Sequence, residues 1–323
     1  MNDVAIEAEG LRKRYGDHQA LDGINLSVPA GTVMGILGPN GAGKTTAVRI
    51  LATLLEADEG RAVVAGIDVA KDPQQVRRQI GLAGQYAAVD ELLTGAENLT
   101  LLGKLLRLGR GGAKARAAEM LERFELTDAA DREVKTYSGG MRRRLDLAAC
   151  LLGEPSVLFL DEPTTGLDLT SRMTLWKTVR EQVAAGVTVL LTTQYLEEAD
   201  QFADRIAVID KGAVIAEGAP DDLKGKVGGE RLEVTVADRS AVAEAARVLA
   251  KVSVGEPVVT EEDRLVSATI ESGIDTIADA AAALREAGIK VTDFAMRRPS
   301  LDDVFLSLTG HTTGPTEKEE TEA

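Results

Sequence analysis

The stretch Gly38-Pro39-Asn40-Gly41-Ala42-Gly43-Lys44-Thr45-Thr46 decides the fold. Its spacing, a glycine, four residues and then Gly-Lys-Thr, is that of a phosphate-binding loop. The apolar run Val33-Met34-Gly35-Ile36-Leu37 before it reads as a buried strand, and Ala47 to Leu55 after it reads as a helix. Strand, loop and helix in that order are the context such a loop needs. Its glycines let successive backbone N–H groups turn inward, and the helix start adds its dipole and free N–H groups. In that frame Lys44 reaches the β- and γ-phosphates of a nucleotide, and the Thr45 hydroxyl ligates Mg²⁺. The competing reading is a glycine-rich turn with a chance Gly-Lys-Thr, and both flanks argue against it.

Upstream, Val4 to Ala8 and Ile24 to Val28 alternate as antiparallel strands do. Between them Tyr15 reads equally as an adenine-stacking residue or as a strand-end aromatic. Downstream, 61–69 and 79–84 read as further strands. Gln85 then lies at a strand's carboxyl end, the edge where nucleotide-side groups collect in open α/β sheets; alone, it reads as an ordinary surface glutamine. From about 90 to 150 the pattern turns helical. Leu99, Leu101, Leu102, Leu105, Leu106 and Leu108 mark one helix and Ala113 to Phe124 a second, with Gly109 to Gly112 as a loop. Ser138-Gly139-Gly140 opens another helix at about Arg142 or just before, with Ser138 suited to an N-cap and the helix start to a second anion site.

Val157-Leu158-Phe159-Leu160-Asp161-Glu162 is a continuous apolar strand ending in two carboxylates. Such runs are typical of parallel strands buried on both faces. Asp161 is placed to hold Mg²⁺, and Glu162 to accept a proton from an attacking water. Asp168 follows in a turn. Val187 to Thr193 is another buried strand, with Gln194 and Tyr195 just past its end and an acidic helix start at Glu197-Glu198. Trp176, between acidic and basic neighbours, is expected to pack on the domain surface. Cys150, in an apolar helix, is expected to be inert. His18 and His311 have no partners at metal-ligand spacing.

The domain plan reads as 1–224 for the nucleotide domain, 225–230 for a glycine-rich linker, 231–310 for a small α+β domain and 311–323 for a disordered acidic tail. The small domain's order, βαββαβ, suggests a ferredoxin-like fold. Leu301, Val304, Phe305 and Leu308 fall on one face of a closing helix.

The chain has 323 residues, 44% of them hydrophobic, which suffices for roughly two domains. Its 37 basic and 52 acidic residues leave a formal net charge of −15. That balance argues against nucleic acid as a partner, because phosphate backbones need clustered Lys and Arg. The one dense basic run, Arg142-Arg143-Arg144, is too short to reverse it. The start Met1-Asn2-Asp3-Val4 lacks a signal peptide's pattern, and no apolar run approaches the about 20 residues that span a bilayer. A cytoplasmic chain with only peripheral membrane contact is expected.

The ordered set Gly38–Thr45, Gln85, Ser138-Gly139-Gly140, Leu160-Asp161-Glu162 and Gly166-Leu167-Asp168 resembles the ATP-binding subunits of ABC transporters over roughly residues 4–220. Two further stretches, Gly84 to Glu91 with Leu93-Thr94-Gly95 and Arg297 to Phe305, resemble the daunorubicin-resistance (DrrA-type) drug-export branch. The resemblance implies a P-loop ABC ATPase core with an antiparallel flank and a helical subdomain, binding ATP with Mg²⁺. It implies Glu162 as general base, and Ser138 and Gly140 touching the γ-phosphate held by Lys44 of a second subunit. Gln85 would sense γ-phosphate and Mg²⁺, and Asp168 would bridge the two ATP sites. Tyr137 and Met141 stand where the family usually has leucine and glutamine. Gln194 stands where most of the superfamily has histidine; its amide donates a hydrogen bond but cannot become charged. The implied assembly is a head-to-tail homodimer on the cytoplasmic face of the cell membrane, driving a separate permease that exports a hydrophobic drug. This chain itself need not bind the drug. An importer ATPase with a regulatory carboxyl domain, or a soluble non-transport ABC ATPase, is the alternative.

Overall fold

The computed structural model describes residues 4–84, 89–227, 230–260, 262, 264–270, 274–297 and 299–309. Gln85, Gly228, Gly229 and the tail beyond Thr309 lie outside the described residues. The elements run β1 (Val4–Tyr15), β2 (His18–Pro29), β3 (Val33–Leu37), α1 (Lys44–Leu51), β4 (Glu59–Val64), β5 (Ile67–Asp68), α2 (Pro73–Gln79), β6 (Ile80–Ala83), α3 (Gly95–Leu105), α4 (Gly109–Arg123), α5 (Gly139–Leu151), β7 (Val157–Asp161), α6 (Leu169–Ala184), β8 (Thr188–Thr192), α7 (Leu196–Phe202), β9 (Arg205–Asp210), β10 (Ala213–Gly218) and α8 (Pro220–Val227). They continue through β11 (Glu230–Val236), α9 (Val242–Leu249), β12 (Val258–Thr260), β13 (Leu265–Ile270), α10 (Ile274–Glu286), β14 (Val291–Arg297) and α11 (Leu301–Thr309). The chain divides into two compact units, Met1–Pro220 and Asp221–Ala323.

In the first unit a four-stranded antiparallel sheet, ordered β2-β1-β4-β5, flanks a six-stranded sheet ordered β10-β9-β3-β8-β7-β6. In the second sheet β9, β3, β8, β7 and β6 run parallel, and β10 pairs antiparallel at the edge. Every residue of β3, β7 and β8 is buried. That is why their sequences are unbroken apolar runs instead of alternating ones. Met34, Ile36, Phe159 and Leu190 from this sheet join Ile6, Leu26, Val48 and Val64 in one core. The flank is longer than the sequence pattern suggests. β1 and β2 reach the tight turn at Gly16-Asp17, and Tyr15 pairs with His18 inside the hairpin. The single strand expected at 61–69 is a hairpin, because Ala65 and Gly66 both take positive φ (52° and 76°), the conformation of a two-residue turn that matches strand twist.

The helical stretch starts with α3, whose capping box pairs the Thr94 side chain with Glu97 N–H and the Glu97 carboxylate with Thr94 N–H. The glycines read as a loop at 109–112 are instead the first turn of α4. α5 begins at Gly139, just before Arg142 and directly after its cap Ser138. Trp176 is also a correction: it is 2% exposed and stacks on Phe202, centroids 4.2 Å apart. Leu175, Trp176, Val179 and Gln182 form the buried side of α6, and the charges beside Trp176 in sequence lie on its other faces. Among the described residues no helix is long and apolar enough to cross a membrane.

The second unit holds the sheet β12-β13-β11-β14, with β11 central between β13 and β14. Leu232, Val234, Val236, Val266, Ala268 and Ile270 alternate onto the face covered by Val242, Ala245 and Leu249 of α9 and Leu284 of α10. The strand expected over 252–260 shortens to Val258–Thr260. The expected linker at 225–230 contains the end of α8 and the start of β11. On α11, Leu301, Val304 and Phe305 are buried, whereas Leu308 is 42% exposed and does not share their environment. Ser300 caps this helix against Asp303, and Arg231 of β11 pairs with Asp303 at 3.6 Å.

Candidate functional site

The parallel register places three strand ends side by side. Ile36 of β3 pairs with Thr192 of β8, and Thr192 pairs with Asp161 of β7. The chain leaving each strand therefore enters the same edge of the sheet: Gly38–Lys44 after β3, Glu162 after β7, Gln194 after β8. Side chains cross that edge. Thr45 Oγ1 donates to Asp161 Oδ1 at 3.2 Å, and Thr192 Oγ1 donates to the same oxygen at 2.5 Å. Asp161 is only 6% exposed. A threonine hydroxyl beside a buried carboxylate is the hard-oxygen donor set that suits Mg²⁺.

The loop itself is held by backbone contacts that exclude side chains. A Cβ on Gly43, the residue before α1, would lie 2.4 Å from the Ala20 carbonyl oxygen, and its φ is 107°. A Cβ on Gly38 would lie 2.2 Å from the Ile209 carbonyl oxygen. Lys44 is 5% exposed, and its Nζ donates to the Gly38 and Pro39 carbonyls at 2.7 and 3.0 Å. Burial lowers the Lys44 pKa, while the nearby Glu162 and Asp161 carboxylates oppose that shift. The first turn of α1 leaves backbone N–H groups without helical partners. Together with the lysine these make an anion cradle.

Glu162 takes a positive φ of 49°, unusual for a residue with a side chain. Its N–H donates to both the carbonyl and the hydroxyl of Thr192, each at 3.1 Å, which over-determines that conformation. The half-buried carboxylate thus leaves the strand at a fixed turn, next to the Thr45–Asp161 pair. Gln194 is exposed past β8. Tyr15 is the last residue of β1 and is 47% exposed.

Ser138 is the N-cap of α5: its Oγ accepts from Met141 N–H at 3.2 Å. The turn tolerates Tyr137 because the ring is buried and its hydroxyl donates to the Ala129 carbonyl at 2.7 Å. Gly140 lies against Ser171, whose hydroxyl would have to shift to admit a side chain, since a Cβ there would lie 2.3 Å from Ser171 Oγ. Asp168 caps α6 by accepting from Ser171 N–H at 2.7 Å, and that bond lowers its pKa. The Ser138-Gly139-Gly140 turn and the Asp168 turn therefore pack together at Ser171. Cys150 donates to the Leu82 carbonyl, and desolvation pushes its thiol up to about 12, in keeping with an inert role.

Sequence reading missed what the basic run does. Arg143, on the first turns of α5, donates through Nε to the Pro163 carbonyl at 2.9 Å and through Nη1 to the Gly84 carbonyl at 2.7 Å. It links the residue after Glu162 to the residue before Gln85. Arg142 pairs with Glu91, and Arg144 donates to the Phe124 carbonyl. The run is a set of internal struts, and three arginines at a helix start after a glycine turn were its only local signal.

Comparisons with known proteins give the family of the chain. The family profile for "ABC transporter" matches residues 21–165, and that for "ATP-binding protein DrrA1-3-like, C-terminal domain" matches residues 218–309. The daunorubicin resistance ATP-binding protein DrrA2 of Streptomyces coeruleorubidus is 57% identical over 99% of both chains. The daunorubicin/doxorubicin resistance ATP-binding protein DrrA of Streptomyces peucetius is 52% identical over 95% of this chain and 93% of its own. Among solved structures, a dimeric ATP-binding cassette in a post-hydrolysis state with ADP and Pi superposes with a TM-score of 0.61 and 27% identity. That match covers 66% of this chain and 98% of the other. These relatives do not favour an importer ATPase or a soluble non-transport ATPase. The chain belongs to the ATP-binding proteins of ABC transporters, in the daunorubicin-resistance DrrA-type group.

Proposed function

We propose that this chain is the ATP-hydrolysing subunit of a drug or antibiotic efflux transporter. It acts at the cytoplasmic face of the membrane, as a homodimer bound to a separate permease. The observation that supports this reading best is the sheet-edge register that gathers Lys44, Thr45, Asp161, Glu162 and Gln194. Mg²⁺, when bound, neutralises charge on the β- and γ-phosphates. Thr45 and Asp161 would hold it, with Gln85 as the third residue that the family resemblance implies. The backbone of Gly38 to Thr46 and the Lys44 ammonium orient the phosphates. Glu162 takes the proton of the attacking water. Gln194 donates its amide N–H to the γ-phosphate. Tyr15 is a candidate adenine platform.

The other half of each site comes from the second subunit. Its Ser138-Gly139-Gly140 turn offers a hydroxyl, free N–H groups and a helix dipole to the γ-phosphate. Asp168 lies between the two sites and transmits closure from one to the other. One set of motifs per chain then requires two chains related by a two-fold axis.

Gln194 distinguishes this site from a histidine-switched one. Gln194→Ala should lower turnover by losing a phosphate donor, while Gln194→His should keep much of it. Turnover of the native chain should show no inflection near the imidazole pKa of about 6.5 that vanishes with Gln194→Ala. Normal hydrolysis by the alanine variant would remove Gln194 from the site.

The proposal as a whole is tested in cells carrying the chain with its permease. Drug resistance should depend on both proteins and be lost in a chain ending at Gly229, which should still bind ATP yet dimerise less well. Full resistance with normal dimer yield from the shortened chain would show that 230–323 is dispensable. A native chain that confers resistance with its permease yet hydrolyses no ATP would contradict the proposal itself.

A further inference from the structure

A buried carboxylate outside the phosphate site joins the loops that carry it. Glu198 on α7 is 5% exposed. Its Oε2 accepts from Thr164 Oγ1 at 2.7 Å and from Thr193 Oγ1 at 3.4 Å. Its Oε1 faces Arg172 Nε at 3.4 Å. Each partner sits next to a residue of the site. Thr164 lies two residues beyond Glu162 and is 1% exposed; Thr193 immediately precedes Gln194 and is also 1% exposed. Arg172 is in the first turn of α6, where its N–H bonds to the carbonyl of Asp168.

The Thr193 hydroxyl serves both ways, since it accepts from Tyr195 N–H at 2.9 Å while donating to Glu198. Gln194 is thereby pinned on both sides. Arg172 also lies over the Tyr195 ring, 5.1 Å from its centroid. Burial pushes the Glu198 carboxyl above the ordinary range, and the Thr164 hydroxyl and Arg172 pull it back. A carboxylate this buried costs free energy unless its partners are held in place. The stacked Trp176–Phe202 pair fixes α6 against α7 beside it.

We infer that Glu198 is a positioning residue for ATP hydrolysis. It sets the Glu162 turn, the Gln194 loop and the Asp168 cap in one arrangement, so that they move together when the site closes. This rests on the ATPase reading above. Among the described residues Glu198 makes no hydrogen bond or ion pair with the phosphate loop, so its loss acts on turnover and leaves nucleotide binding intact. Misplacement of a catalytic group by about 1 Å can cost about a hundredfold in rate, and a partial loosening of three loops should cost about tenfold.

The test measures kcat and KM for ATP, binding of a fluorescent ATP analogue and melting temperature. The chains compared are the native one, Glu198→Ala, Glu198→Gln and Thr164→Val. We expect kcat of Glu198→Ala to fall about tenfold with analogue affinity within about twofold. Glu198→Gln, which still accepts from both threonines, should recover part of that loss, and Thr164→Val should show a smaller one. Combined with Gln194→Ala, Glu198→Ala should be less than multiplicative, because the second change acts through the first residue's loop. Unchanged kcat in Glu198→Ala, a parallel loss of analogue affinity, or strictly multiplicative effects would overturn the inference. If Glu198→Ala does not fold, Glu198→Gln and Thr164→Val decide by the same split. A native chain without ATP turnover would sink the ATPase reading and not this one alone.

Discussion

Glu162→Gln is expected to lower ATP turnover by at least about a hundredfold, since a positioned proton acceptor is worth that much or more. The amide keeps the size of the side chain and the φ of 49° at this turn. The bonds that hold the turn come from the Glu162 N–H to Thr192, so they survive the change. The Thr45–Asp161 contact and the Lys44 contacts do not involve the carboxylate. ATP should therefore bind with near-native affinity and accumulate unhydrolysed. Steady-state turnover and analogue binding check both halves. Turnover close to that of the native chain would remove Glu162 from the chemistry.

Arg143→Met should destabilise the first unit by about 2–4 kcal/mol, because two carbonyls lose a charged donor and are left without a partner. The guanidinium is desolvated, which lowers its pKa, with Asp146, Cys150 and Asp161 acting against that shift. Arg143→Lys should restore only part of the stability, since one ammonium lacks the planar fork that reaches Pro163 and Gly84 at once. Urea unfolding of the three chains measures this. A shift within about 0.5 kcal/mol for Arg143→Met, the size typical of surface changes, would contradict the strut. Turnover of Arg143→Met should fall as well, because the strut spans from the Glu162 turn to the end of β6.

The parts of the site legible in sequence are those whose signal is local. Gly38 and Gly43 are glycine because carbonyls of Ile209 and Ala20 leave no space for a Cβ. The apolar runs ending at Asp161 and Thr193 betray parallel strands buried on both faces. Ser138 is a polar residue at a helix start and reads as an N-cap, whereas Asp168 reads only as a turn residue and its cap on α6 comes from the structure. What sequence hid is long-range. Arg143 reaches carbonyls 59 and 20 residues away, and Glu198 reaches a threonine 34 residues away. Glu197 and Glu198 look alike in sequence, yet the first is exposed and the second buried. Trp176 was within reach: Leu175, Val179 and Gln182 mark its helix face at helical spacing, but the charges adjacent in the chain suggested a surface position. The glycines at the start of α4 misled in the opposite direction, because helix propensity is a weak prior that packing overrides.

The central claim is that each ATP site is built from two chains, with the phosphate loop of one facing the Ser138 turn of the other. Asn40 and Ser138 are both exposed. The direct measurement mixes a chain carrying Asn40→Cys with one carrying Ser138→Cys, both in the Glu162→Gln background, and follows disulfide formation between them. The account predicts that Mg²⁺-ATP raises the cross-linked yield well above that without nucleotide. A yield that does not respond to ATP, with ATP shown to be bound, would contradict it.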